Sequence, residues 1–418
     1  MTPRRGGRRD ARLIYAAAFV RSAIISLIGV IVAIHLAGLG FSITRIGVVI
    51  GCGLAGSALA TLLVSLRADA WGRRRMLVAF GVLSATGYTA LALASDIAIL
   101  LPLAFLGMLN GMGRDRGGAT ALEQAILPDT TAADGRTWAL AWYNVVLDCG
   151  HALGALAGAT PVLLSRTLAI DTIAAHRLTF LFCAGVTLVG IVPYLGLSTQ
   201  TEFAPAADAA VAAASASPET RRVVRRLAAL FGLDSIGGGF LNTTLIAYWF
   251  FRRYGTSEAE LALLFFAARA LNAVSHVGAA WLARRIGLLN TMVWTHLPSS
   301  VFLMIAPVAP TATAAAALFL AREALVEMDV PTRQSYVMAV VPRSARTFAS
   351  GITNVTRTVG WAVGPSVAGA VMQHAALGGP LIIGGTLKIA YDVLLYRSFR
   401  HVRPPEETPA SRDAIGTT

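Results

Sequence analysis

Residues Leu13–Leu39 have the sequence LIYAAAFVRSAIISLIGVIVAIHLAGL, in which Arg21 is the only formally charged side chain. A helix rises about 1.5 Å per residue, so roughly 20 apolar residues cross the hydrocarbon core of a bilayer. The arginine-rich residues before this stretch are also typical of a signal peptide. However, the stretch is longer than a signal peptide's apolar region and shows no evident cleavage site. We therefore interpret it as a first membrane-spanning helix.

The composition of the whole chain agrees with that interpretation. Of its 418 residues, 56% are hydrophobic and 14% are charged, and the mean hydropathy is +0.65. A soluble domain typically carries about 25% charged residues. A single soluble core cannot bury this much apolar surface, so the composition predicts an integral membrane protein.

The distribution of apolar residues predicts an all-α membrane protein with twelve transmembrane helices. The fourth and tenth segments begin as apolar sequence and then become strongly polar, whereas the others remain mostly apolar. The predicted spans are 13–39, 46–66, 75–95, 97–120, 137–163, 178–198, 223–251, 259–282, 289–308, 312–333, 347–372 and 380–397.

The basic residues follow the predicted loops. The net charge is +13, and Lys388 is the only lysine. With a cytoplasmic N-terminus, twenty-two arginines fall on cytoplasmic segments and five on the opposite side. This asymmetry predicts that both termini are cytoplasmic, and it explains the basic composition without a nucleic-acid partner. We expect a multi-pass protein of the cell (inner) membrane. The five arginines on the opposite side are Arg45, Arg166, Arg177, Arg252 and Arg253.

A polar, Ala-rich segment divides the chain near its middle. Residues 199–222 read TQTEFAPAADAAVAAASASPETRR, a composition that suits a flexible cytoplasmic linker. We therefore expect an N-terminal six-helix bundle at 1–198 and a C-terminal one at 223–397. A cytoplasmic tail follows at 398–418.

The two predicted halves share a weak internal repeat. At an offset of 210 residues, matching residues occur around the fifth and eleventh spans. Parallel six-helix repeats are one way in which transporters build a substrate site at the centre of the membrane. The matches are Gln124 with Gln334, Arg136 with Arg346, Asn144 with Asn354, Gly150 with Gly360 and Gly154 with Gly364.

The loop between the second and third spans, Ser65–Arg74, reads SLRADAWGRR. It resembles the pattern Gly-x-Leu-x-Asp-Arg-x-Gly-Arg-Arg of the major facilitator superfamily. The resemblance implies two six-helix halves with pseudo-twofold symmetry, transport by alternating access, and a gating role for this loop at the cytoplasmic face. The matching residues are Asp69, Gly72, Arg73 and Arg74, and the departures are Ser65, Arg67 and Ala70.

A second motif lies in the eleventh span. The residues Gly360, Gly364, Pro365 and Gly369 are similar to the Gly-x-x-x-Gly-Pro-x-x-Gly pattern that drug antiporters of this superfamily carry in their fifth span. Here the fifth span has only Gly150 and Gly154, without the matching proline. Helix packing is the alternative role, because small residues four apart allow two helices to approach closely.

Several ionisable residues lie inside predicted spans, where a charge costs several kcal/mol on insertion scales and commonly marks a pathway or a paired site. We expect proton coupling at Asp148 or Asp234, since neither has a basic residue other than histidine within one helical turn. Glu323 and Glu327 are further candidates because like charges four residues apart raise one pKa.

Other polar residues share helix faces and are candidates for lining a central substrate cavity. The alternative is that they form interhelical salt bridges with a structural role. Lys388 and Asp392 are spaced to form an i,i+4 pair. The cavity candidates are Arg21, Asn144, His151, Arg269, Asn272, Arg322, Asn354 and Arg357.

These observations predict a proton-coupled exporter of a small polar or amphiphilic solute. Uptake or exchange of a small organic anion is the alternative, favoured by the arginines inside the spans, and a membrane receptor without transport is a remote one. No nucleotide-binding motif, catalytic triad or metal-ligand spacing occurs. We therefore expect no enzyme activity, no cofactor and no metal. The expected partners are the solute, protons and the lipid bilayer, and we expect a monomer.

Overall fold

The structure, a computed structural model, describes residues 5–115, 117–130, 136–202, 217–341 and 346–401. The described residues form helices joined by short connections, and no strand occurs among them. Twelve helical spans follow in the predicted order, and the all-α membrane fold is confirmed. The fourth and tenth spans begin at the predicted residues, Ile97 and Ala312.

Seventeen helices make up these spans in the described part of the chain. They are α1 (Arg5–Gly38), α2 (Ile43–Trp71), α3 (Arg73–Leu93), α4 (Ile97–Leu106), α5 (Gly118–Ile126), α6 (Arg136–Leu156), α7 (Thr160–Leu168), α8 (Thr172–Val189), α9 (Val192–Leu195), α10 (Pro218–Phe240), α11 (Thr243–Tyr254), α12 (Glu258–Ile286), α13 (Leu288–Ile305), α14 (Ala312–Val326), α15 (Asp329–Val340), α16 (Arg346–His374) and α17 (Gly379–Phe399).

Side-chain caps explain where several helices begin. Asp96, Asp171, Asn242 and Thr311 each precede a helix and accept a hydrogen bond from a backbone N–H of its first turn. These residue types favour the N-cap position because their oxygens satisfy an N–H group that has no intrahelical partner. Local sequence chemistry therefore determines these boundaries.

Six helices of the described chain are long and apolar enough to cross a membrane by length and composition. The other spans are interrupted or carry several charges. The fourth is broken between α4 and α5, the seventh between α10 and α11, and the tenth between α14 and α15. The breaks in the fourth and tenth spans lie where their sequences turn polar.

The chain divides into two compact units. The first contains residues 1–206, 239–269 and 361–380, and the second contains 207–238, 270–360 and 381–418. The predicted halves at 1–198 and 223–397 remain a prediction. Of the predicted linker, residues 199–202 form a short 3₁₀ helix and 217–222 lie at or near the start of α10, while 203–216 lie outside the described residues.

Each unit has its own apolar core. In the first unit, Ile14 of α1, Leu77 of α3 and Tyr143 of α6 are fully buried in one cluster. In the second unit, Leu227 of α10 and Tyr391 of α17 are fully buried in another. The polar clusters described below lie beside these cores, on the same helices.

The glycines of the eleventh span lie at close helix contacts. A Cβ atom on Gly364 would come 2.9 Å from the backbone nitrogen of Phe240 and closer still to Gly239. A Cβ atom on Gly369 would lie 2.6 Å from the carbonyl oxygen of Ile43. Real Cβ atoms do not come this close to backbone atoms, so α16 approaches α10 and α2 where it carries no side chain.

We expect Gly364→Ala to lower the melting temperature of the purified protein in detergent. The added methyl group overpacks the contact with Gly239, and overpacking of this kind costs about 1–3 kcal/mol. Gly185→Ala in α8 is the matched control, because no atom apart from the neighbouring backbone of α8 itself lies within 4 Å of the added Cβ. Alanine favours a helix more than glycine does, so the control should retain or slightly raise the melting temperature. Equal melting temperatures for the two variants would contradict the packing role.

Candidate functional site

The fourth span is interrupted at residues 107–117, and the interruption positions its polar side chains. Met108 and Gly113 have φ angles of 51° and 65°, which ends the regular helix. Asn110 stabilises the break from within: its Nδ2 donates to the carbonyl of Arg114 at 2.7 Å, and its Oδ1 accepts from the backbone N–H of Met112 at 2.8 Å. The freed backbone groups are thus satisfied locally, as a membrane interior requires.

Arg21 of α1 lies between two carboxylates of the fourth span. Its Nε is 2.6 Å from Asp115 Oδ2, and its Nη1 and Nη2 are 2.8 Å and 2.5 Å from the two oxygens of Glu123. The contact with Glu123 is the bidentate arrangement that gives guanidinium–carboxylate pairs their geometric specificity. The Asp115 side chain is 3% exposed and Glu123 is fully buried, so both depend on Arg21 for neutralisation.

Hydroxyl groups complete this cluster. Tyr143 donates to Glu123 at 2.7 Å and Tyr194 donates to it at 2.6 Å, while Arg21 donates to the Tyr194 hydroxyl. Thr120 donates to Asp115 Oδ1 at 2.7 Å. We call these residues the Arg21 cluster: Arg21, Asp115, Thr120, Glu123, Tyr143 and Tyr194.

His151 of α6 supports the same site through the backbone. The N–H of Asp115 donates to His151 Nε2 at 2.8 Å. A ring nitrogen that accepts a hydrogen bond carries no proton, so this contact assigns His151 as a neutral imidazole. The histidine therefore holds the interrupted segment in place without adding a positive charge to the cluster.

The charges of the Arg21 cluster do not balance when every group is ionised. Among the described residues, Arg21 is the cation within salt-bridge distance of Asp115 and of Glu123. Two carboxylates with one guanidinium leave one negative charge in a buried site. Burial of an unpaired charge costs free energy. The cluster therefore combines two buried carboxylates with a single guanidinium partner among the described residues.

A cavity of about 60 Å³ opens beside the cluster. A water molecule needs about 10–15 Å³ of such volume, so the cavity has room for several water molecules. The Arg21 side chain retains 18% exposure at this site, whereas both carboxylates face away from solvent. The polar residues of its wall are Arg21, Ser57, Ser84, Tyr88, Asn110, Asp115, Thr187 and Tyr194.

A second cluster lies in the other unit around Asp234 of α10. Lys388 Nζ of α17 is 2.7 Å from Asp234 Oδ1, and Arg333 Nη1 of α15 is 3.3 Å from Asp234 Oδ2. Arg333 also pairs with Asp329 one turn earlier on α15. Although Asp234 has no basic neighbour within one turn of its own helix, it lies between two cations from other helices.

The i,i+4 pair predicted between Lys388 and Asp392 is wrong. Lys388 pairs with Asp234, and Asp392 instead contacts His296 Nδ1 of α13 at 3.0 Å. Helix α17 packs against α10 and α13, so each side chain finds a partner on another helix. We call these residues the Asp234 cluster: Asp234, His296, Asp329, Arg333, Lys388 and Asp392.

The remaining predicted cavity residues of the C-terminal spans are engaged with neighbours. Arg322 pairs with Glu323, and Asn272 Nδ2 donates to Glu323 Oε2 at 2.9 Å. Arg269 donates to the Thr243 hydroxyl at 3.1 Å. Arg357 Nε donates to the Ser235 hydroxyl at 3.4 Å.

The predicted site residues therefore fall into several environments. Asp148 is half-buried and Asn144 is exposed on α6, while Glu327 is buried at the end of α14. Asn354 and Asp69 have side chains outside the described part of the chain. Glu123, Tyr143, Tyr194 and His296 were not among the residues selected from the sequence, and Glu123 lies three residues beyond the predicted end of the fourth span.

Helix α3 begins within the loop that resembles the superfamily pattern, and its N-terminus is capped by a residue from outside that loop. Gly72 has a φ of 89°, which allows α2 to end and α3 to begin at Arg73. The carboxylate of Glu202 accepts from the backbone N–H groups of Arg73 at 2.7 Å and Arg74 at 3.2 Å. A negative charge at this position is favoured by the helix dipole. A residue beyond the sixth span thus caps the third.

Within the described ranges, no group of three or more His, Cys, Asp or Glu side chains is arranged to hold a metal ion. The three cysteines, Cys52, Cys149 and Cys183, are free thiols.

Comparisons with known proteins agree with this architecture. The sequence profile described as the Major Facilitator Superfamily matches residues 14–365 and 227–417. An uncharacterised membrane protein of Saccharomyces cerevisiae is 26% identical over 417 residues, covering 93% of this chain and 93% of the yeast protein.

Two solved structures share the fold at low sequence identity. The nucleoside transporter NupG, solved as a point mutant, is 12% identical with a TM-score of 0.74, covering 93% of this chain and 100% of that one. A D-xylose–proton symporter is 13% identical with a TM-score of 0.72, covering 93% of this chain and 97% of that one. At these identities the likeness shows the fold.

Proposed function

Since this multi-pass membrane protein belongs to the Major Facilitator Superfamily, we propose that it is a secondary active transporter that exports a small polar or amphiphilic solute in exchange for protons. The solute is moved by alternating access between two six-helix halves. The observation that carries the proton coupling is the Arg21 cluster, in which two buried carboxylates share one guanidinium.

Coupling needs a group that changes its charge during the cycle. In the Arg21 cluster, a proton on Asp115 or Glu123 balances the charge, and the loss of that proton leaves a buried negative charge. The adjoining cavity is large enough to hold water, and the Arg21 side chain lines it. The known D-xylose–proton symporter of the same fold gives general support for proton use.

The polar wall of the cavity supports a polar solute. Arg21, Tyr88 and Asn110 line it together with hydroxyl groups of serine and threonine. Arg21 and Asn110 already form hydrogen bonds within the protein, so the support for a polar solute is that the Arg21 side chain stays 18% exposed at the cavity. The name of the nucleoside transporter with the same fold also indicates a polar solute for that protein.

Uptake or exchange of a small organic anion is the second candidate function. Its support is the number of arginines inside the spans. In this structure Arg21, Arg322 and Arg333 are each paired with a carboxylate, which neutralises the charge that would attract an anion. Arg269 and Arg357 donate to hydroxyl groups. The pairing favours the first proposal.

Export is proposed from the antiporter-like motif of the eleventh span. Its residues Gly364 and Gly369 lie at the contacts of α16 with α10 and α2. An antiporter uses proton entry to drive the exit of its solute. With the arginine asymmetry, we further propose that both termini are cytoplasmic, that the protein lies in the cell (inner) membrane, and that it acts as a monomer.

Asp148, Asp234, Glu323 and Glu327 remain candidate coupling residues beside Asp115 and Glu123. Asp234 contacts two cations and Glu323 contacts Arg322, so each is a stabilised carboxylate in this arrangement. Release of such a partner during the transport cycle would be needed before either carboxylate binds a proton.

The proposal predicts solute-driven proton movement in proteoliposomes across a panel of polar and amphiphilic compounds. We expect Glu123→Gln and Asp115→Asn to reduce this proton flux at least tenfold, because an amide cannot release a proton at this site. Asp148→Asn and Asp234→Asn test the other two carboxylates in the same assay. Asp96→Asn is the control, since Asp96 is an exposed helix cap.

Three results would decide against parts of the proposal. Unchanged proton flux in Glu123→Gln and Asp115→Asn would exclude the Arg21 cluster as the coupling site. Flux that disappears only in Asp148→Asn or Asp234→Asn would assign coupling to that residue. Anion exchange without proton movement would support the second candidate function instead.

A further inference from the structure

We propose that Lys388, His296 and Asp392 form a proton relay in the second unit, which transfers a proton from Lys388 to Asp392 and thereby releases Asp234. Its use in solute coupling rests on the proposed function above. The relay itself is a property of α10, α13 and α17, and it can be tested without a known solute.

The three groups form a continuous chain of contacts. Lys388 Nζ is 3.4 Å from His296 Nε2, and His296 Nδ1 is 3.0 Å from each oxygen of Asp392. All three residues are buried, with Asp392 fully so. The imidazole therefore bridges an ammonium group and a carboxylate out of contact with bulk water.

The hydrogen-bond roles assign the proton on the histidine. An ammonium group only donates, so His296 Nε2 must accept from Lys388 and carries no proton. Nδ1 then carries the imidazole proton and donates to the Asp392 carboxylate. This is the arrangement in which a proton can enter at Nε2 while another leaves from Nδ1.

The transfer step balances. Lys388 gives one proton to His296 Nε2, and His296 gives its Nδ1 proton to Asp392. The ammonium becomes an amine, the carboxylate becomes a carboxylic acid, and the imidazole ends neutral in its other tautomer. The net charge of the three groups is unchanged, and one proton has moved about 6 Å along α17, since Lys388 and Asp392 are one helical turn apart.

The proton transfer changes the ion pairing of Asp234. Its Oδ1 loses the ammonium partner at 2.7 Å, while Arg333 stays 3.3 Å from its Oδ2. The contact between α10 and α17 then weakens relative to the contact between α10 and α15. A proton transfer inside the unit is thereby converted into a change of helix pairing.

The other charged groups around the relay set the conditions for the step. Arg357 of α16 acts electrostatically on Asp234, and Asp329 of α15 acts on Asp392. The phenol of Tyr391 interacts electrostatically with Asp234, Asp329, Arg333 and Asp392. The carboxylate of Asp329 remains paired with Arg333 throughout, so Asp392 is the acceptor that the relay leaves available.

A single lysine permits a direct test. Because Lys388 is the only lysine, full-length protein grown with ¹³Cε-labelled lysine gives one NMR signal from this side chain. We expect the wild type, in lipid nanodiscs, to show an ammonium signal and an amine signal in a ratio that stays the same from about pH 5 to 8, because the transfer within the relay leaves the net charge unchanged and an ordinary lysine is an ammonium group over that range. His296→Gln and Asp392→Asn break the relay, and we expect both to show the ammonium signal alone over that range.

The wild-type spectrum decides the question even if a variant does not fold. An ammonium signal alone at every pH would make Lys388 a permanent structural cation and overturn the relay. Both signals persisting in His296→Gln would also overturn it. The matched carboxylate control, Asp96→Asn, should reproduce the wild-type spectrum because its side chain is an exposed helix cap.

The proteoliposome assay separates this inference from the proposed function. Solute-driven proton flux that is unchanged in His296→Gln would reject the relay as the coupling route and leave the proposed function standing. A wild type without proton flux, but with both lysine signals, would reject proton coupling and leave the relay as an internal switch of helix pairing.

Discussion

Arg21→Met is expected to lower the free energy of unfolding by about 3–5 kcal/mol and to abolish transport. The substitution keeps the apolar stem but removes the cation that neutralises Asp115 and Glu123. Removing one partner of a buried ion pair has this magnitude because it leaves an uncompensated buried charge. Here two carboxylates lose their partner at once.

Thermal or denaturant unfolding in lipid nanodiscs measures the stability, and proteoliposome flux measures the transport. Arg45→Met is the matched control. Arg45 is exposed at the start of α2, and a surface substitution of this kind changes stability by about 0.5 kcal/mol or less. The control should therefore resemble the wild type in both measurements.

A second substitution tests the cause of the loss. Glu123→Gln in the Arg21→Met background removes the fully buried carboxylate, so we expect the double variant to recover much of the stability while transport stays absent. A double variant as unstable as Arg21→Met would show that packing of the arginine stem, rather than charge pairing, determines the effect.

The twelve spans could be predicted because lipid imposes a strong constraint on sequence. A spanning helix must be apolar over roughly 20 residues, and caps such as Asp96 and Thr311 place its first residue. The breaks were visible only as polarity in the fourth and tenth spans. The break in the fourth span depends on Asn110, whose side chain forms hydrogen bonds with nearby backbone groups. The periodic pattern of apolar residues in a helix gives no information about such a contact.

The polar partners could not be predicted in the same way. Asp234 was selected because no basic residue lies within one helical turn of it. Its side chain nevertheless contacts two cations, Arg333 and Lys388, which are 99 and 154 residues away along the chain. Arg21 and Glu123 are separated by 102 residues. Pairing at such separations is decided by how helices pack. A spacing rule, such as the one that joined Lys388 to Asp392, considers only one helix.

The same limit applies to the gating loop. Its pattern directs attention to Asp69, whereas the carboxylate that caps α3 in the described structure belongs to Glu202. A carboxylate at a helix N-terminus is favoured by the helix dipole whichever residue supplies it. Glu202 follows the sixth span, about 130 residues after the motif, so the motif alone does not identify it.

Lys388→Met and Asp234→Asn are each expected to lower the free energy of unfolding by about 3–5 kcal/mol, and the two together to lower it by less than either alone. Each single change leaves a buried partner without its 2.7 Å contact, whereas the double change removes both charges. The coupling free energy of this double-mutant cycle, measured by unfolding in nanodiscs, gives the strength of the pair.

Neutralisation is a cleaner test of this pair than charge exchange. A lysine at position 234 would face Arg333, which lies 3.3 Å from the present carboxylate, so an exchanged pair would gain a repulsion unrelated to Lys388. The neutral double variant keeps the Arg333–Asp329 pair. If the Asp234–Lys388 pair serves stability alone, the double variant regains both folding and proton-coupled transport. If Lys388 is the proton donor of the relay, folding returns and proton flux does not, because methionine has no proton to transfer to His296.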